Sequence, residues 1–362
     1  MASVSSIPQA LAAVTPAWLT AVLRHGGILQ HASVTDVEGT TLGEDHSFFS
    51  NLTRLRLTYD VRESHAPASL VLKLPPTELR SEAYRREVRF YQEVGARPGI
   101  DLPQVYHAAR DEAAERYLLL LEDLQHGHWV DSLTGCTFEE ARAVMTALAR
   151  FHATWWRRPE LGRWAWLSHE REARLASVQN GYDAGWQGFV ARFDDLLTPA
   201  LRAAGPTLGP RVSVVMEQQP GETCTLTHGD TRADNLFFRT TASPQGLTLV
   251  DWQNVRRSFS GAWDVVYFLT SAFSSATRRQ YEAELLARYH QTLRDRGVTD
   301  YPWETFHADC RRATLTIFAS TGVVAGGVVQ AATSRMEQVL RDWVGGMIDA
   351  VTDYDALALL PA

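Results

Sequence analysis

The distribution of apolar and polar positions changes character near residue 125. Before it, Thr15-Pro16, the run AWLTAVLR and Gly26-Gly27 predict a short capped helix. Three strands are expected next, over 33–42, 52–60 and 69–74, with the polar stretch LGEDHSFFSN turning between the first two. Ser81 stands where it would cap a helix reaching about Val94, which Arg97-Pro98-Gly99 ends. A further pair of strands closes with YLLLLEDL. After Gln125, Thr137-Phe138-Glu139-Glu140 has the form of a capping box. Behind it Val144, Met145, Leu148, Phe151 and Trp155 recur at helical spacing. More helix is expected beyond residue 170 and from about 276 to the end, around one β-rich insertion at 224–252. The implied class is α+β: a small antiparallel-sheet lobe with one main helix, residues 1–124, and a larger, mostly helical lobe, residues 125–362.

Composition narrows the functional classes without choosing among them. With 362 residues, 45% of them hydrophobic and 21% charged, the chain has an ordinary globular make-up. A net charge of −7 argues against a nucleic-acid partner, which goes with a basic stripe. Cys136, Cys224 and Cys310 are far apart and form no C-x-x-C pair, which fits buried thiols in a reducing cytoplasm. No basic stretch followed by an apolar core opens the chain, so no signal peptide is expected. The uncharged segment between Arg312 and Arg335 is long enough to span a bilayer, but Thr, Ser, Gln and glycines dilute it. A buried helix or helix pair is expected there, and no membrane partner.

The chemistry concentrates in the insertion, which runs TCTLTHGDTRADNLFF, RTTASPQG, LTLVDWQ. Two apolar runs around Ser-Pro-Gln-Gly predict a β-hairpin. In an antiparallel pair, the residue entering the first strand lies opposite the residue leaving the second. Asn235 and Asp251 hold those positions, so an amide oxygen and a carboxylate are expected together, a donor set that suits Mg²⁺. Asp230, five residues before Asn235, supplies a second carboxylate placed to accept the proton of an attacking hydroxyl. Each residue has a bland reading, as a turn residue or a helix cap. Their order and spacing, with the hairpin, reproduce a kinase catalytic loop with His228-Gly229-Asp230 as its first triplet and Val250-Asp251-Trp252 in the metal-binding place.

The first lobe adds a separate signal. Lys73 interrupts the apolar run LVLKL, where a charge is costly without a partner. Glu87 borders the apolar face marked by Tyr84 and Tyr91, and an inward Lys–Glu pair is how kinases hold the α- and β-phosphates. The backbone around Leu121, Glu122 and Leu124 is expected to bind adenine. No G-x-G-x-x-G is present; Gly43 is followed by Ser47, Phe48 and Ser50, and this stretch is either a phosphate contact through backbone amides and Ser47 or a plain hairpin turn.

These motifs resemble the aminoglycoside phosphotransferase and choline kinase superfamily, and within it the ecdysteroid-kinase-like group. The matching pieces are SFFSNLTRLRLTYD, SLVLKLP, EAYRREVRFY, YLLLLEDL, HGDTRADNLFF, VDWQ and GAWDVVYFL, spread over residues 45–270. The resemblance implies a bilobal protein-kinase-like fold, ATP and Mg²⁺ as cofactors, and phosphorylation of a small hydroxylated acceptor. It makes 1–124 the nucleotide-binding lobe and gives 125–362 the catalytic loop, metal site and acceptor site. Residue by residue it implies Asp230 as base, His228 and Arg232 as supports of its loop, Asn235 and Asp251 as metal ligands, Lys73 with Glu87 as the phosphate-holding pair, and Asp264 as an anchor of the loop. Arg232 stands where the group usually has Trp, and the glycine loop is atypical.

The acceptor is open. Trp155, Trp156, Trp164, Trp166, Tyr182 and Trp186 form either an acceptor wall or plain core. Two rival readings have distinct consequences. A metal-dependent hydrolase would use His228, Asp230 and Asp251 as ligands and would need no nucleotide. A non-catalytic nucleotide-binding module would bind nucleotide without turning it over.

Overall fold

The antiparallel sheet at the start of the chain is built from leucines that alternate with its other face. In the computed structural model, which describes residues 7–42, 51–75, 82–167, 171–217, 225–239, 246–329 and 333–361, helix α1 (Pro16–His25) precedes strands β1 (Val34–Leu42), β2 (Asn51–Tyr59) and β3 (Ser69–Leu74). Helix α2 (Glu82–Arg89), continued by a π-helical turn Phe90–Val94, leads to β4 (Val105–Asp111) and β5 (Arg116–Glu122). The strand order is β1-β2-β3-β5-β4, antiparallel throughout. Leu70, Leu72, Leu118 and Leu120 share a core with Trp18, Leu19, Val22 and Leu23 of α1. Because side chains alternate along a strand, Lys73 is on the opposite face from Leu72. The predicted cap holds α1: the Thr15 hydroxyl accepts from the Trp18 amide at 3.2 Å.

The chain forms two compact units, Met1–Gly127 with Thr248–Asn254, and His128–Leu247 with Val255–Ala362. The short stretch Thr248–Asn254 therefore departs from a single cut at residue 124. Its ties are visible. The Leu249 amide donates to the Asp101 carbonyl at 3.2 Å, Arg86 donates to the Gln253 carbonyl at 3.2 Å, and the Trp252 indole lies flat on Phe90 with centroids 4.0 Å apart.

The second unit is mostly helical. The strand β6 (Gly127–Trp129) is followed by α3 (Phe138–Trp155), whose capping box forms as expected: Thr137 accepts from the Glu140 amide and Glu140 accepts from the Thr137 amide. The predicted stripe of Val144, Met145, Leu148, Phe151 and Trp155 is its buried face. Then come α4 (Arg171–Phe193), α5 (Pro199–Ala204), α6 (Leu208–Glu217), β7 (Thr225–Thr227), β8 (Leu236–Arg239) and β9 (Leu247–Leu249). The Arg239 amide meets the Gly246 carbonyl at 3.0 Å, closing the predicted hairpin; Ser243-Pro244-Gln245 lies outside the described residues. Strand β10 (Arg256–Ser258) pairs antiparallel with β7, and α7 (Ala262–Ala272), α8 (Ser275–Asp295), α9 (Trp303–Ile317), α10 (Val323–Val328) and α11 (Ser334–Asp353) complete the unit.

The uncharged segment after Arg312 runs through α9, a π-helical turn Phe318–Gly322 and α10. Among the described residues no helix is long and apolar enough to cross a membrane. Its glycines serve packing instead. A Cβ on Gly327 would fall 2.0 Å from the Gly185 carbonyl of α4, and one on Gly188 would fall 2.4 Å from the Gly327 carbonyl. The two backbones touch where a side chain would stand. Gly327→Ala is expected to cost roughly 2 kcal/mol by forcing these helices apart, read as a lowered midpoint of urea unfolding.

Candidate active site

In the first unit, Lys73 is almost fully buried and its ammonium lies 2.7 Å from Glu87 Oε2 and 2.7 Å from Asp251 Oδ1. Burial pulls the lysine pKa down, but the Asp251 and Glu87 carboxylates outweigh it and hold the pKa above the ordinary value. The Glu87 pKa is raised as well: burial lifts it, and the Lys73 charge only partly offsets this. Glu87 also accepts from the Trp252 amide through Oε1 at 3.2 Å, so one carboxylate fixes both the lysine and the backbone after Asp251. Asp251 has φ of 65°, in the left-handed region that a non-glycine residue rarely adopts. The sequence pairs Lys73 with Glu87, as found. It gives no sign that Asp251 meets the same ammonium, because 178 residues separate them.

The segment expected at adenine is the end of β5. Leu121 and Leu124 are buried, and the Glu122 amide donates to the Gln104 carbonyl at 2.8 Å. Arg54 forks onto Asp123 with bonds of 2.7 and 3.1 Å, which fastens the strand exit to β2. Gly43, Ser47, Phe48 and Ser50 lie outside the described residues.

In the second unit the loop 228–235 is organised by Asp264 near the start of α7. Its fully buried carboxylate accepts from the His228 amide at 2.7 Å and the Gly229 amide at 2.8 Å, and its carbonyl accepts from the Thr231 hydroxyl at 2.7 Å. His152 of α3 adds a bond from Nε2 at 3.1 Å. Burial alone would raise the Asp264 pKa; the His152 bond and charge, the His228 charge and the Gly229 amide reverse this and hold it below the ordinary value. Around Asp230, His228 Nδ1 accepts the Asp230 amide at 3.2 Å and Arg232 Nε lies 3.3 Å from Oδ1. Asn235 Nδ2 donates to the Asp230 carbonyl at 2.8 Å, which turns the amide oxygen to the other side. An amide oxygen is a hard donor of the kind a Mg²⁺ ion takes.

His152 and Tyr289 were not found from sequence. The histidine follows Phe151 on the apolar stripe of α3 and reads as core; in fact Nδ1 bonds the Tyr289 hydroxyl at 2.7 Å while Nε2 serves Asp264. Gly261 makes room for this pair, since a Cβ there would lie 2.1 Å from both. The tryptophan cluster is core rather than wall at several positions: Trp155, Trp166 and Tyr182 are buried, and Tyr182 stacks on Trp186 at 5.6 Å.

A model of the ecdysteroid kinase-like family matches residues 44–298. No curated protein matches the chain. Among solved structures, a candidate aminoglycoside phosphotransferase from Ralstonia eutropha JMP134 is 16% identical, with 92% of this chain and 97% of that chain covered and a TM-score of 0.55. A point variant of aminoglycoside 2′-phosphotransferase IIIa in complex with GDP is 14% identical, covering 94% and 96% at a TM-score of 0.52. Spectinomycin phosphotransferase with ADP and spectinomycin is 11% identical, covering 93% and 98% at a TM-score of 0.50. The fold is that of the kinase-like phosphotransferases, in the α+β class the sequence implies.

Two outcomes follow from these ion pairs. Lys73→Met leaves Glu87 and Asp251 without their cation and is expected to cost about 3 kcal/mol or more, in urea unfolding, with partial recovery when Glu87→Gln is added. Asp264 has a depressed pKa, so its stabilisation is full above the ordinary aspartate value and lost as pH falls through its folded value. Asp264→Asn should therefore unfold more easily at neutral pH, yet lose less further stability on acidification than the unaltered chain, as urea midpoints across pH would read.

Proposed function

Because the chain belongs to the ecdysteroid kinase-like family, we propose that it transfers the γ-phosphoryl group of ATP to a hydroxyl of a small molecule. Its family and fold are those of kinase-like small-molecule phosphotransferases. The observation that carries the finer reading is the buried Lys73 ammonium 2.7 Å from each of two carboxylates. A protein keeps such a cation, at the desolvation it costs, where a polyanion is to be bound. The GDP and ADP held by two structures of the same fold support a nucleotide donor.

In this proposal Lys73, kept in place by Glu87, binds the α- and β-phosphates, and the backbone from Leu121 to Leu124 binds adenine. Asn235 and Asp251 are the residues that would hold Mg²⁺, which supplies charge neutralisation at the phosphates. Asp230 orients the acceptor hydroxyl and takes its proton, while His228 and Arg232 support the loop that carries it. Residues up to Leu124 then serve the nucleotide, and the acceptor is bound by the helical part of the chain. An ATP donor goes with a cytoplasmic location. Acceptors named for proteins of this fold, aminoglycosides and spectinomycin, give two classes to try first.

The deciding measurement is ADP release, followed by a coupled assay, across aminoglycosides, amino alcohols, sugars, steroids and hydroxy acids. Asp230→Ala is expected to keep nucleotide affinity and lose turnover by about two orders of magnitude or more. Asp251→Ala is expected to abolish Mg²⁺-dependent nucleotide binding in calorimetry. Unchanged turnover in the first variant removes Asp230 from its role; unchanged binding in the second removes Asp251 from the metal.

A further inference from the structure

Three fully buried polar side chains from three helices, Tyr289 of α8, His152 of α3 and Asp264 of α7, are linked in a row that ends on the loop 228–235. The Tyr289 hydroxyl is 2.7 Å from His152 Nδ1, and His152 Nε2 is 3.1 Å from Asp264 Oδ2. Asp264 then takes the His228 amide on Oδ2 at 2.7 Å and the Gly229 amide on Oδ1 at 2.8 Å. Its carbonyl takes the Thr231 hydroxyl, so both neighbours of Asp230 are held by one residue. Tyr289 is the far end of this row. Its ring stacks on Phe306 of α9 at 5.1 Å and 26°. A Cβ on Gly261 would fall 2.1 Å from both its hydroxyl and His152 Nδ1, so the backbone just before α7 closes over their bond.

What each end of these bonds has to offer fixes where the protons lie. Both Asp264 oxygens accept backbone amides, so the carboxylate is ionised and the proton between it and His152 belongs to Nε2. A bond from an imidazolium to a carboxylate runs at about 2.7–2.9 Å. This one is 3.1 Å, longer than the amide bond on the same oxygen, as a neutral ring makes. Among the described residues the Tyr289 hydroxyl has no hydrogen bond besides that to His152. As an acceptor from Nδ1 it would leave its own buried proton unsatisfied; as a donor it satisfies both groups. Burial first, and then the charge of Asp264, hold the phenol pKa well above its ordinary value, so that proton is present to be donated. The His152 charge that lowers the Asp264 pKa belongs to the acid range, where an aspartate titrates and a histidine is protonated.

We propose that Tyr289 is a positioning residue: at neutral pH its hydroxyl donates to His152 Nδ1 and fixes the neutral Nε2–H tautomer that bonds Asp264, so that the carboxylate gathering the loop amides is held from α8. The inference rests on the phosphotransfer reading above and adds to it a distant group that keeps the loop of Asp230 in place. A neutral His152 leaves the His228 amide with the stronger claim on Oδ2. An imidazolium would compete for that oxygen with a charge-assisted bond and draw it away from the amide. Asp230 moves with its neighbours, and reactions of this kind are sensitive to misplacement on the scale of an ångström. Tyr289 touches no reacting atom; its contribution is orientation.

The first test reads the proton directly. In long-range proton–nitrogen NMR of the unaltered chain at neutral pH, with His152→Gln identifying the signals, His152 is expected to show a protonated Nε2 and a bare Nδ1. Protons on both nitrogens, or on Nδ1 alone, overturn the proposal. The second test is Tyr289→Phe, which keeps the ring on Phe306 and removes the donor. It is expected to move the His152 Nδ1 resonance and to lower the kcat for ADP release about tenfold, with the KM for ATP within about twofold of the unaltered chain. An unmoved resonance, or a raised KM with unchanged kcat, overturns the proposal. In a His152→Gln background the same substitution is expected to lower kcat no further, because it acts through that ring; an equal proportional loss in both backgrounds overturns it. Should Tyr289→Phe fail to fold, the spectrum of the unaltered chain decides by itself. If the unaltered chain releases no ADP with any acceptor class, the phosphotransfer reading fails, and the same spectrum still decides whether Tyr289 sets the His152 tautomer.

Discussion

A lysine ammonium removed from water, with a carboxylate 2.7 Å away on either side, is the constraint on which the rest of the first unit depends. Lys73 cannot be buried there without both acids, since an unpaired ion in that position would cost several kcal/mol. The two acids come from distant parts of the chain. Glu87 arrives on α2, and Asp251 arrives on a stretch that returns after more than a hundred residues spent in the other unit. The ion pair, the Trp252 amide on Glu87 and the flat Phe90–Trp252 contact explain why Thr248–Asn254 folds with a sheet it does not follow in sequence.

The second unit solves a related problem with hydrogen bonds. Its loop must satisfy a row of backbone amides away from water. Asp264 takes two of those amides and is kept ionised by them and by His152, although burial opposes this. His152 is in turn oriented by Tyr289, in a space that Gly261 leaves open. The loop geometry is therefore written into three helices, α3, α7 and α8, rather than into the loop itself.

Much of this was legible in the residues. The capping box at Thr137, the leucine alternation around Lys73 and the order His228, Asp230, Asn235, Asp251 are local patterns, and local patterns reflect local physics: a cap needs a hydroxyl and a carboxylate three apart, and a strand needs period two. The pairing of Lys73 with Glu87 was readable because a charge inside an apolar run demands a partner. His152 and Tyr289 were not readable, because each sits on a helix face that looks like ordinary core. What sets them apart is the group that meets each from another element, and no spacing within one helix encodes that. The tryptophans between Trp155 and Trp186 show the converse: a cluster dense in sequence proved partly to be packing.

The sequence by itself determined the α+β class, the helix starts, the strand alternation and the residue types available for phosphoryl chemistry, because each depends on neighbours within a turn or a strand. Only the tertiary structure decided that Asp251 shares the Lys73 ammonium and that His152, held by Tyr289, bonds the Asp264 carboxylate. Those outcomes depend on which desolvated charge or donor is satisfied by which distant partner, and that is settled when the whole unit packs.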